Sequence, residues 1–166
     1  MNAKKAAPDD RALIERLRQI CLALPEANER LSHGEPTWFA GKGKVFATLD
    51  NHHHGAPHLS VWIPQPVGAQ EALIASDPKR FFNPPYVGPS GWVGVVLDWR
   101  PDWPLVERVV RDAFRYRATR KLLAQMDRAP TQAAVEDANR RASKPRAKPR
   151  TTKAKPRKLA ESRASR

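Results

Sequence analysis

Three copies of a short cationic unit, Lys144-Pro145-Arg146, Lys148-Pro149-Arg150 and Lys155-Pro156-Arg157, stand four and then seven residues apart in the last quarter of the 166-residue chain. Lys153 and Lys158 thicken the pattern, and Ala, Ser and Thr fill the rest. Proline forbids helix, so the unit favours an extended backbone with solvated cations. Such a strip can lie along phosphates or enter a narrow A·T-rich minor groove, where negative potential attracts Arg and Lys. Nothing in it reads base edges with fixed geometry, which needs a rigid element in a groove. Sequence-tolerant binding of nucleic acid, duplex DNA first and RNA as the alternative, is the chemistry these residues point to. Lys42 and Lys44, at or beside the Gly41-Lys42-Gly43 turn, are expected to add a wing against backbone phosphate.

Other residue groups have weaker chemistry. His52-His53-His54 and His58 hold four of the five histidines. Neutral imidazole suits zinc, nickel or copper, and His52 and His54 are the candidate ligands. A built site also needs partners that orient the rings, and only Asp50 is close in sequence. The run therefore reads as an exposed hairpin loop, and no metal or other cofactor is expected. Its charge would grow as pH falls through about 6.5. Phe46, Trp62 and Trp92 form an aromatic set that could stack on unpaired bases or line a small-molecule site. The competing reading is that the segment 77–90, with Phe81, Phe82 and Tyr86, folds over them as a second small core. Walker-type glycine loops, Gly-x-Ser-x-Gly and His-Glu-x-x-His are all absent. Glu35, Asp50 and Asp98 are isolated in sequence, although folding could bring two of them together. Binding rather than catalysis is expected.

Charge divides the chain. Overall there are 30 Lys and Arg against 17 Asp and Glu, a net +13. Residues 1–127 carry 17 basic and 14 acidic side chains, whereas residues 128–166 carry 13 and 3. The second stretch has no Phe, Trp or Tyr and too few aliphatic side chains to offset the entropy of ordering its backbone. A flexible start over residues 1–8, a folded head over 9–127 and a largely disordered basic tail over 128–166 are expected. No apolar run approaches the roughly 18 residues of a membrane span, and the first ten residues lack the apolar segment of a secretory signal. Cys21 stands alone, which excludes an intrachain disulfide. A cytoplasmic, nucleoid-associated protein with no membrane partner is the expectation.

The elements that must position these groups follow from periodicity. Leu13, Ile14, Leu17, Ile20, Cys21 and Leu24 fall on one face of a helix capped by Asp9 or Asp10 and stopped by Pro25. On that stripe Cys21 reads as a buried, inert thiol. Strands are predicted over 37–40, 44–49, 58–63 and 92–97, with a short helix over 68–76. A last helix begins near Asp102 with Pro104 in its first turn and runs to Met126. Its Arg108, Arg111, Arg115, Arg117, Arg120 and Lys121 read as a solvated face partly paired with Glu107 and Asp112. Alternation puts Val45, Ala47 and Leu49 on the helix side with the aliphatic rows of the later strands. It puts Phe46, Thr48, Trp62, Trp92 and Gly94 on the other side. The result is a two-layer α+β fold: helices packed on one face of an antiparallel sheet, the other face open and aromatic.

The segment LALPEANERLSHGEPTWFAGKGKVFATL, the Pro84-Pro85-Tyr86-Val87-Gly88 loop and the Gly91-Trp92-Val93-Gly94-Val95-Val96-Leu97-Asp98 strand resemble the MmcQ/YjbR family. The resemblance covers roughly Asp10 to Met126. It implies a frataxin-type (CyaY-like) α+β fold and a role in DNA binding. The family often closes with a Ser-Tyr pair in the last helix where this chain has Phe114-Arg115-Tyr116-Arg117, so no role of that serine carries over. The tail resembles those of linker histones and of bacterial nucleoid-associated proteins, without the Gly-Arg-Pro core of an AT-hook.

Overall fold

A computed structural model describes residues 8–53 and 56–128. They form an α+β fold in the order α1 (Pro8–Leu22), β1 (Ala27–Ser32), β2 (Glu35–Ala40), β3 (Val45–Asn51), β4 (Leu59–Pro64), α2 (Ala69–Ser76), β5 (Phe81–Phe82), β6 (Trp92–Val96), α3 (Trp103–Arg117) and α4 (Arg120–Arg128). The six strands make one sheet, β1-β2-β3-β4-β6-β5, and every neighbouring pair is antiparallel. Among the described residues no helix is long and apolar enough to cross a membrane.

Alternation along the strands and the 3.6-residue period of the helices meet in one core. Val61 and Ile63 of β4 and Val93 and Val95 of β6 pack with Leu17, Ile20 and Cys21 of α1 and with Val106, Val110 and Phe114 of α3. Asp102 caps α3 by accepting from the Leu105 amide at 3.1 Å. The helix does not continue to Met126. Ala118 takes an extended conformation (φ −71°, ψ 151°), and Thr119 starts a new helix, its hydroxyl accepting from Leu122 N at 3.4 Å. The break re-aims α4 so that Leu122 and Met126 are buried.

The sequence reading places no strand over residues 27–32, yet β1 is there, at the sheet edge. It is hard to see because Asn28, Glu29 and Arg30 are polar, and their partners lie elsewhere in the chain. Glu29 accepts from the buried Trp38 indole at 3.0 Å and from Arg18 of α1 at 2.8 and 3.1 Å. The hydrogen bonds to Glu29 and then Glu15 hold the Arg18 guanidinium further above its usual range. Arg30 lies 3.6 Å from the centre of the Phe39 ring. The hairpin to β2 turns on His33 and Gly34, both with positive φ (54° and 84°), the conformation that a two-residue turn demands and that glycine adopts without strain.

Replacing Glu29 by Ala would leave the Trp38 N–H buried without an acceptor, and a loss of roughly 1–3 kcal/mol is expected in urea melts. Burial pushes the Cys21 thiol well above its ordinary range, with Glu29 adding to the effect. The folded state therefore binds that proton more tightly than the unfolded chain. This contribution to stability is complete below the free thiol's value of about 8.5 and is lost as pH rises beyond it. Cys21 should resist alkylation by iodoacetamide at pH 8 in the folded protein and react once urea unfolds it.

Candidate functional site

The sheet face opposite the helices is not flat. It holds a cavity of about 460 Å³ whose lining includes Trp62, Trp92 and Tyr86 on one side and Glu35, Asp50 and His53 on another. Sheet pairing assembles it. Thr37 of β2 stands opposite Thr48 of β3, and Thr48 opposite Trp62 of β4. The two threonine hydroxyls share a hydrogen bond of 2.7 Å, and the Trp62 indole donates to Ser60 at 3.1 Å.

The acidic side depends on the turn after β3. His53 reaches back so that its Nδ1 lies 2.9 Å from Glu35 Oε1, while its backbone N–H donates to Asp50 Oδ1 at 3.1 Å. Asp50 is only 3% exposed. The aromatic side is placed by Gln70 of α2, whose amide donates to the carbonyls of Gly88 and Trp92 at 2.8 and 2.6 Å. Tyr86 lies in the loop thus held, in the left-handed region (φ 66°) and 75% exposed. That backbone costs on the order of 1 kcal/mol.

One of the three expected aromatic residues is elsewhere. Phe46 is fully buried, and its ring meets Phe114 of α3 edge-on at 5.2 Å between centroids. The cause is a bulge: Trp38 pairs with Ala47 and Phe39 with Val45, so Phe46 is an extra residue on β3. A single inserted residue reverses the facing of everything before it. Val45 therefore lines the cavity, where simple alternation puts Phe46. Trp62 and Trp92 are where alternation predicts. The segment 77–90 folds partly over this face, with Tyr86 and Val87 lining the cavity beside Trp62 and Trp92, but it forms no second buried core. Phe81 pairs with Val95 and joins the main core. Phe82 lies across Gly94, where an added Cβ would come within 2.2 Å of the ring.

The described histidines of the 52–58 run do not converge on one another. His52 Nε2 stands 3.9 Å from Asp10, and its Nδ1 lies 3.2 Å from the Ala56 carbonyl. His58 pairs with Asp98 at 3.0 Å. Among the described residues no group of three His, Cys, Asp or Glu is arranged to hold a metal ion; His54 lies outside them. Lys42 and Lys44 are exposed at the β2–β3 turn and make no ion pair with a described residue. The closing-helix cations are partly paired, though not with Glu107 or Asp112. Arg115 meets Asp127 at 3.0 Å, and Lys121 meets Glu26 at 3.1 Å. Hydrogen bonds from Gln125 and then Lys121 hold the Glu26 carboxyl below its usual range. Arg117 sits 5.0 Å from the Tyr116 ring centre and 5.9 Å from that of Trp92. Lys144, Arg146, Lys148, Arg150, Lys153, Lys155, Arg157 and Lys158 lie outside the described residues.

Sequence reasoning missed Glu35, His53 and Asp50 as a group, because only the β2–β3 pairing and the turn after β3 bring them together. Phe46→Ala should cost about 3–5 kcal/mol in equilibrium unfolding, as a buried core ring does. Val45→Ala, on the open face, should cost about 1 kcal/mol.

Comparison with known proteins agrees with this fold. The YjbR family model matches residues 22–116. NLP effector protein 3 of Phytophthora capsici is 26% identical over 88 residues, covering 44% of this chain and 37% of that protein. The match thus spans little more than a third of that relative. The crystal structure of Deinococcus radiodurans protein DR2400, a DUF419 domain, superposes with a TM-score of 0.51 at 18% identity. It covers 76% of this chain and 87% of its own.

Proposed function

This chain belongs to the YjbR family, and we propose that this member is a nucleic-acid-binding protein that holds duplex DNA mainly through backbone charge. The observation that carries the reading is the concentration of 13 basic against 3 acidic side chains in residues 128–166, in Lys-Pro-Arg units that resist helix. Cations at that density displace the counterions condensed on a nucleic acid, and the released ions supply the free energy. The exposed Lys42 and Lys44 support a second, smaller contact, in which the β2–β3 turn orients the head against phosphate. The reading involves no catalytic step, and association with the nucleoid follows from it. RNA shares the same phosphate chemistry, so competition between duplex DNA and structured RNA decides the cellular partner.

Binding to random duplex should weaken steeply with salt. If about six phosphates are neutralised, the slope of log affinity against log salt is about −5. Substituting Gln for Lys144, Arg146, Lys148, Arg150, Lys155 and Arg157 in the full chain should flatten that slope to about −1 or less, and Lys42→Ala with Lys44→Ala should flatten it by about 1–2. Gel-shift titrations at several salt concentrations measure both; an unchanged slope in the six-fold variant would remove the basis of the reading.

A further inference from the structure

The open-face cavity has a chemistry opposite to that of the rest of the protein. Among the described residues no Lys or Arg lines the cavity; the Arg117 guanidinium stands 5.9 Å from the Trp92 ring centre. Its ionic groups are the carboxylates of Glu35 and Asp50 and the imidazoles of His33 and His53. Its volume of about 460 Å³ lies within the range of roughly 300–1,000 Å³ typical of small-molecule sites.

Three features decide what fits. Trp62, Trp92 and Tyr86 present aromatic surface to the cavity, and the negative face of such rings attracts organic cations. Glu35 and Asp50 are tied into one acidic edge through the side chain and backbone of His53. The field inside a recess with low-dielectric walls is focused by the charges lining it, which here favours a positive ligand and repels phosphate or carboxylate. Those same carboxylates, and the lack of lining Lys or Arg among the described residues, argue against nucleic-acid bases stacking here, because a single-strand groove needs cations to follow its backbone.

We propose that this cavity is a binding site for a small organic cation, a primary or quaternary ammonium group on a compact apolar skeleton. The ammonium lies against the ring face of Trp62 and points toward Glu35 and Asp50; Trp92, whose ring already has Arg117 5.9 Å from its centre, and Tyr86 close the rim, and the Thr37–Thr48 pair contacts the apolar skeleton. This site is separate in residues and in sign of charge from the cationic elements that would meet DNA, so either reading can fail without the other.

The test uses the full-length protein and tryptophan fluorescence, with isothermal calorimetry as a second readout. The probes are choline, phenethylamine, the uncharged choline isostere 3,3-dimethyl-1-butanol, and inorganic phosphate. A saturable response to at least one of the two cations is expected. For choline, binding should be at least tenfold tighter than for its isostere, and phosphate should produce no saturable change. Trp62→Leu should abolish the response. Glu35→Gln and Asp50→Asn should each weaken cation binding about tenfold; Glu35→Gln serves if the buried Asp50→Asn does not fold. Asp98→Asn, which alters the carboxylate facing His58, should leave affinity unchanged. No saturable response to either cation, equal binding of choline and its isostere, or a preference for phosphate would overturn the proposal. So would cation binding that survives Trp62→Leu, since that would place it elsewhere on the chain.

Discussion

One inserted residue in β3 organises this molecule. Because β3 advances two positions, from Val45 to Ala47, while β2 advances one, Phe46 turns inward against Phe114. Phe46 and Ala47 both enter the core. Without the bulge, a phenyl ring would stand on the open face beside Thr48 and Trp62, and the core would lose one of its largest fully buried side chains. The same step that completes the core therefore leaves room on the far side for the cavity. Core and recess are two outcomes of one register shift, a coupling that follows from the two-residue period of a strand.

Much of the architecture was legible in the residues. The stripe from Leu13 to Leu24, the cap at Asp102 and the aliphatic rows of β4 and β6 specify helices on one side of an antiparallel sheet, and that is the fold observed. What escaped has physical reasons. β1 is an edge strand whose polar residues are satisfied by α1 and β2, so its sequence lacks a hydrophobic signature. The break at Ala118 has no glycine or proline to announce it. The bulge is invisible because it changes facing without changing composition.

The cavity was only half legible. Trp62 and Trp92 followed from alternation, but Glu35, Asp50 and His53 carry no local motif. Their meeting depends on the β1–β2 turn at His33 and Gly34, the β2–β3 pairing and the return of the chain at His53. Sites built across strands hide in this way.

The two ends of the sheet are guarded by different means. A strand with unpaired backbone groups is a template on which other chains can stack. At one end β5 is only two residues long, and its Phe82 ring is laid over Gly94, which leaves little main chain for an incoming strand. At the other end β1 places ionic groups, Glu29 and Arg30, in its middle and commits both to partners. Margins blunted in this way give a second copy few unsatisfied backbone groups to stack on, so the sheet ends where it does.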